Sequence, residues 1–280
     1  MRIVDSEQIV SAVKKLCIDA NCFLNDDIRV AMEKSAAEEK SEVARSVLKD
    51  LLDNADIAKD KAIPICQDTG MAVFFVEIGS DVHIEGMPLN EAINEGVRRG
   101  YTEGYLRKSV VKDPLRRVNT EDNTPAVIYC EFVKGDSIRI TFAPKGFGSE
   151  NKSALKMLNP SDGVDGVIDF VVDTVSKAGA NPCPPMVVGV GIGGTMDKCA
   201  QLSKKALTRN IDEPNSDEYY AKLEDEIKER INKLGIGPAG LGGTTTAFGV
   251  NIEVFPTHIA GLPVSVNISC HATRHSVVVI

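Results

Sequence analysis

This 280-residue sequence has no tryptophan, only four histidines and 5% aromatic residues, so it offers few ring faces on which nucleic-acid bases could stack. It also lacks excess positive charge. Lys and Arg number 32 against 40 Asp and Glu, a formal net charge of −8, which argues against general affinity for nucleic acid or anionic membranes. Any anionic ligand then has to be caught by a local basic pocket. No apolar run is long enough to cross a bilayer and no signal-peptide pattern opens the chain. The seven cysteines are odd in number and show no C-x₂-C spacing, which points to a reducing cytoplasm and no disulfide framework.

What is present reads as a mixed α/β chain, with 43% apolar residues and no linker or low-complexity segment to divide it. A helical N-terminal section over about residues 1–62 precedes an α/β section over about 63–280, the two forming a single domain. Strands are expected near 72–78, 126–133, 137–142, 186–190, 248–254 and 264–268. The pair around Lys134-Gly135-Asp136 reads as a hairpin. Helices are expected near 89–101, 153–158, 166–178, 196–208 and 216–234. The apolar end, Val277 to Ile280, reads either as a segment buried against another chain or as an ordinary terminal strand.

Three cysteines stand in polar, turn-rich surroundings: Cys66 in Ile-Cys-Gln-Asp-Thr-Gly, Cys183 in Asn-Pro-Cys-Pro-Pro and Cys270 in Ile-Ser-Cys-His-Ala-Thr-Arg. Three thiolates from three loops can hold three irons of a [4Fe–4S] cluster and leave the fourth open as a Lewis acid. Cys17, Cys22, Cys130 and Cys199 lie in helix-like or strand-like runs and are expected to be buried as small hydrophobes. Gly189, Gly191 and Gly194 match G-x-G-x-x-G between a strand and a helix, but residues 208–215 form a polar turn where a dinucleotide fold needs its second strand. These glycines remain either tight-turn residues or a place of close backbone approach to an anion or the cluster.

Among polar candidates, Arg107, Lys145 and Arg274 could each grip a carboxylate or simply form a surface ion pair. Asp68 could be an acid or base beside a metal or the cap of an Asx turn. His258 could shuttle a proton or be a satisfied core histidine. His271 and His275 are close to Cys270 in sequence only.

Pro64-Ile65-Cys66-Gln67-Asp68-Thr69-Gly70, Lys145-Gly146-Phe147-Gly148-Ser149-Glu150-Asn151-Lys152, Asn181-Pro182-Cys183-Pro184-Pro185 and the segment from Thr257 through Cys270 resemble the class I, iron–sulfur fumarate hydratases. The related L(+)-tartrate dehydratases share this layout, and the resemblance spans about residue 5 to the end. It implies Cys66, Cys183 and Cys270 as cluster ligands, and Gln67, Arg107 and the Gly148 backbone as substrate contacts. Asp68 and His258 would be catalytic residues. Phe147 departs from the glycine common at its position. The length is similar to that of a separate α subunit, which implies a β subunit carrying the C-terminal catalytic domain, in an α2β2 assembly that is inactive without it. The implied reaction interconverts (S)-malate and fumarate, with L(+)-tartrate dehydration as the alternative. A nucleotide-binding oxidoreductase and a non-catalytic cluster protein are the more distant alternatives.

Overall fold

The computed structural model describes all 280 residues, and the chain folds as two compact units. Residues 1–25, 55–147 and 274–280 form the first, and residues 26–54 and 148–273 the second. Neither coincides with the helical and α/β sections expected around residue 62.

The first unit begins with β1 (Arg2–Asp5) and α1 (Ser6–Cys22), whose start is capped by the Asp5 carboxylate accepting the Glu7 N–H. Helix α1 buries Ile9, Val10, Val13, Leu16, Cys17 and Ala20, a spacing that keeps one face apolar. It packs on α4 (Leu89–Glu103) and on a sheet of β2 (Met71–Gly79), β4 (Val127–Val133), β5 (Ile138–Lys145) and β10 (Ser276–Val279). The short β3 (Val82–Glu85) pairs in parallel with β1.

The expected hairpin of β4 and β5 does not form. The strand order is β10-β5-β2-β4, so β2 is inserted between them, parallel to β4 and antiparallel to β5. The Lys134–Ser137 turn instead arches over the end of β2. The amides of Gly79, Ser80 and Asp81 donate to the carbonyls of Ser137, Val133 and Gly135. Strand β10 lies antiparallel along β5, so the apolar C-terminal segment is an edge strand of this same unit.

In the second unit, β6 (Ala154–Leu158), β9 (Leu262–Ser269), β7 (Met186–Gly193) and β8 (Ala247–Phe255) form a sheet in that order. Residues 154–158 are therefore a strand and not a helix. Five residues are too few for a helix to overcome its nucleation cost alone, and the segment pairs antiparallel with β9. One face of the sheet carries α6 (Gly163–Ala178) and α8 (Glu218–Asn232) over Val188, Val190, Val264, Val266 and Ile268. The other face carries α7 (Met196–Ala206). Helix α2 (Asp26–Glu38) and the N-terminal part of α3 (Glu42–Lys61) complete the unit.

The glycine pattern has a packing origin. A Cβ on Gly189 or Gly191 would come within 2.1 Å of the Ser203 or Cys199 carbonyl, so both glycines let α7 lie directly on β7. No strand follows α7 within the polar turn, and β8, the next strand, comes only after α8. Neither a tight turn nor a dinucleotide loop explains Gly189 and Gly191.

Candidate functional site

In the first unit, the loop between α3 and β2 carries Cys66, Gln67 and Asp68. Its entry is tied down where the Ile65 N–H donates to the carbonyl of buried Asn21, at 2.9 Å. Cys66 Sγ accepts the Asp68 N–H at 3.4 Å and lies 3.6 Å from Gln67 Oε1. Asp68 does cap an Asx turn, with Oδ1 accepting the Gly70 N–H at 3.0 Å, while Oδ2 accepts the Phe147 N–H at 2.8 Å. Gly70 has φ +72°, and a Cβ there would come within 2.6 Å of the Lys145 nitrogen, so only glycine fits.

Three successive carbonyls of this loop are held by side chains. Arg274 donates to the Asp68 carbonyl at 2.6 Å, Tyr101 Oη to that of Thr69 at 2.7 Å, and Asn123 Nδ2 to that of Gly70 at 3.2 Å. Tyr101 and Asn123 are fully buried, and burial pushes the Tyr101 phenol well above its ordinary pKa, so it serves as a neutral donor. Arg274 is buried scaffold and not an open carboxylate grip. Lys145 is buried as well. Arg107 is exposed and forms no ion pair, and its backbone carbonyl accepts the Thr69 hydroxyl at 3.0 Å.

In the second unit, the chain between α6 and β7 carries Cys183, and the chain after β9 carries Cys270. The structure clasps these loops together: the His271 N–H donates to the Cys183 carbonyl at 3.1 Å, and His271 Nδ1 lies 3.0 Å from the same oxygen. The Thr273 amide and hydroxyl both donate to the Cys270 carbonyl, at 3.0 and 2.7 Å. Cys183 itself has φ +53°, a left-handed conformation that costs a non-glycine residue about 1–2 kcal/mol. Gly148 is exposed near the same loop, and a Cβ there would have the Asn181 carbonyl as its nearest neighbour, 4.0 Å away. Neither backbone angle nor packing within the chain demands glycine there, and the backbone of this turn is open on that side.

His258 is not with these cysteines. It sits on an exposed turn before β9, where its Nδ1 accepts the Ala260 N–H at 3.2 Å, and that assigns any ring proton to Nε2. Cys270 follows the far end of β9, and eight strand residues span about 25 Å. The ring is in solvent, so His258 is not a core histidine.

No three His, Cys, Asp or Glu side chains stand together as a preformed metal cage. The chemistry of the donor set nevertheless fits an iron–sulfur cluster. Cys66 and Cys270 are half-buried and Cys183 is exposed, all on irregular loops, and Cys66 Sγ already takes a backbone N–H of the kind that supports a cluster sulfur. Cys17, Cys22 and Cys199 are buried as expected, and burial raises each thiol pKa, making them poor thiolate donors. Cys130, expected to be buried, is exposed because β4 is an edge strand.

The profile of the fumarate hydratase (Fumerase) family matches residues 10–279. A Methanocaldococcus jannaschii chain with the provisional name L(+)-tartrate dehydratase subunit alpha is 44% identical over 276 residues, 96% of each chain. L(+)-tartrate dehydratase subunit alpha of Escherichia coli (strain UTI89) is 34% identical, over 89% of this chain and 83% of its own. The subunit of the same name from Shigella sonnei (strain Ss046) is 33% identical, over 91% and 85%.

Proposed function

Because this chain belongs to the fumarate hydratase (Fumerase) family and is a hydro-lyase, we propose that it is the α subunit of an iron–sulfur enzyme that dehydrates a small 2-hydroxydicarboxylate. Its proposed reaction interconverts (S)-malate and fumarate. Dehydration of L(+)-tartrate is the second reading, favoured by the names of the relatives. The observation that carries the proposal is the His271 clasp, which joins the Cys183 and Cys270 loops in the same unit as the open backbone of Gly148.

Cys66, Cys183 and Cys270 would hold a [4Fe–4S] cluster with one iron free of protein ligands. When bound, the cluster supplies Lewis acidity to a reaction that must expel hydroxide, a poor leaving group. Arg107, with no competing ion pair, binds the distal carboxylate through its two-pronged guanidinium. The Gln67 carboxamide orients the substrate, and the Gly148 N–H donates to it. Asp68 retains a lone pair on each oxygen after accepting the Gly70 and Phe147 amides, so Oδ1 can take or return a proton beside Cys66. His258 retains a place in the reaction only if another chain's copy is brought to the site.

The subunit names of the relatives support a partner. In this reading a β subunit supplies the base for the C3 proton, and the α2β2 complex works in the reducing cytoplasm, where seven free cysteines persist. No helix is long and apolar enough to cross a membrane. The test is anaerobic assay of the reconstituted complex with (S)-malate and L(+)-tartrate, since the extra hydroxyl of tartrate demands its own polar partner. Turnover of either acid only when both subunits are present supports the reading. Full activity from β-free α subunit, or none from a cluster-loaded complex, overturns it.

A further inference from the structure

The turn that presents Gly148 ends in a buried polar network that no part of the reaction above uses. It begins with Glu150, the last residue of the helical turn α5 (Phe147–Glu150). Lys204 of α7 forms an ion pair with Glu150 Oε1, and Asn267 Nδ2 of β9 donates to Oε2 at 3.1 Å. Both charged side chains are largely enclosed, 15% exposed for Lys204 and 25% for Glu150. Asn267 is 5% exposed and its Oδ1 takes no hydrogen bond, so its carboxamide is aimed at Glu150 through Nδ2.

The network follows from the alternation of β9. Val264, Val266 and Ile268 face α6 and α8, while Ser265 and Asn267 point to the opposite face, which α7 covers. There Ser203 and Ser265 meet hydroxyl to hydroxyl at 2.9 Å. One turn further on, Ser153 Oγ accepts the Ile268 N–H at 3.1 Å. A layer between helix and sheet is usually apolar, and this one carries an ion pair whose desolvation is offset only by its own geometry. An ion pair of this kind fixes a position more than it adds stability.

We propose that Lys204 is a positioning residue for the reaction. With Asn267, it holds the Glu150 carboxylate and thereby sets the direction of the Gly148 N–H toward substrate. This rests on the proposed role of Gly148 but adds residues that touch neither substrate nor cluster. Lys204 ties the turn to α7, and Asn267 ties it to β9, three residues before Cys270. The turn and that cysteine loop are therefore registered on one strand.

The experiment compares Lys204→Met, Lys204→Arg, Glu150→Gln and the double variant Lys204→Met/Glu150→Gln in the cluster-loaded αβ complex. Lys204→Met is expected to raise KM for the hydroxy acid by about 10-fold or more while kcat and iron content change less than about threefold, since the Gly148 contact is made in ground and transition states alike. Lys204→Arg, which keeps the charge, restores KM, and the double variant is no worse than the worse single one, because its two changes break one interaction. Amide exchange in the wild-type and Lys204→Met α chain gives a readout free of turnover. Faster exchange confined to residues 146–151 is expected. Unchanged KM and unchanged exchange in Lys204→Met, or additive effects in the double variant, would overturn the proposal. If the wild-type complex dehydrates neither acid, the functional reading fails, while the exchange measurement still decides the positioning claim.

Discussion

In the Cys66 loop, three successive carbonyls are gripped by the side chains of Arg274, Tyr101 and Asn123, which come from well-separated parts of the sequence. In the Cys183 loop the hold falls on the cysteine's own peptide groups: its N–H donates to the Ala180 carbonyl three residues earlier, and its carbonyl accepts from His271 of the Cys270 loop. The first loop is relaxed and supported from outside. The second stores strain in the left-handed conformation of Cys183 and depends on neighbouring turns to keep it there. Two thiols assigned the same task are thus delivered by opposite means, so the same type of substitution should act differently in each loop.

The largest effect should fall on both loops alike. Replacing Cys66, Cys183 or Cys270 by Ser is expected to lower turnover of the complex by roughly 10³-fold or more while circular dichroism stays native, because the thiolate is lost and the loop is not. Arg107→Met should come next, raising KM about 10- to 100-fold as a charge-assisted carboxylate contact is lost. The comparison itself is sharpest in stability. Tyr101→Phe leaves the buried Thr69 carbonyl without its donor and should cost about 1–3 kcal/mol in urea unfolding. In the other loop, Cys183→Gly should be more stable than Cys183→Ala by up to about 1 kcal/mol, because glycine accepts the positive φ. The same pair at Cys66, where φ is not left-handed, should show the reverse order.

The smallest effect is one of pH, in the second unit. Burial opposes ionisation of Glu39, but hydrogen bonds from Ser41, Thr244 and Lys40 outweigh it and hold the carboxyl below its ordinary 4.5. A depressed carboxyl adds stability that is fully present above the unfolded value and is lost as pH falls through the folded one. Stability should therefore drop between about pH 5 and 3. Glu39→Gln should flatten part of that slope in denaturant titrations.

The long periodic elements were legible in the sequence, because α1, α4, α6 and α8 each repeat apolar residues at helical spacing. Pairing was not. The expected β4–β5 hairpin fails because β2, a strand some 50 residues earlier, takes the place between them, and no local signal carries that. Cys66, Cys183 and Cys270 were visible through their turn-forming neighbours. Their supports, Tyr101, Asn123 and His271, gave no such mark, since each acts through contacts with residues distant in sequence. The Lys204–Glu150–Asn267 network had a faint one, the alternation of Val264, Ser265, Val266 and Asn267, which reads as a strand with one polar face. The distance of His258 from Cys270 needed the extended course of β9 to be known.

The central claim is that these three cysteines, delivered in two different ways, hold one cluster. It is tested most directly by iron and sulfide analysis with electron paramagnetic resonance of anaerobically reconstituted protein, beside a Cys66/Cys183/Cys270→Ser triple variant. About four irons and four sulfides per chain in the wild type, absent from the variant, is the predicted result. Equal iron in both samples, or none in either, would contradict it.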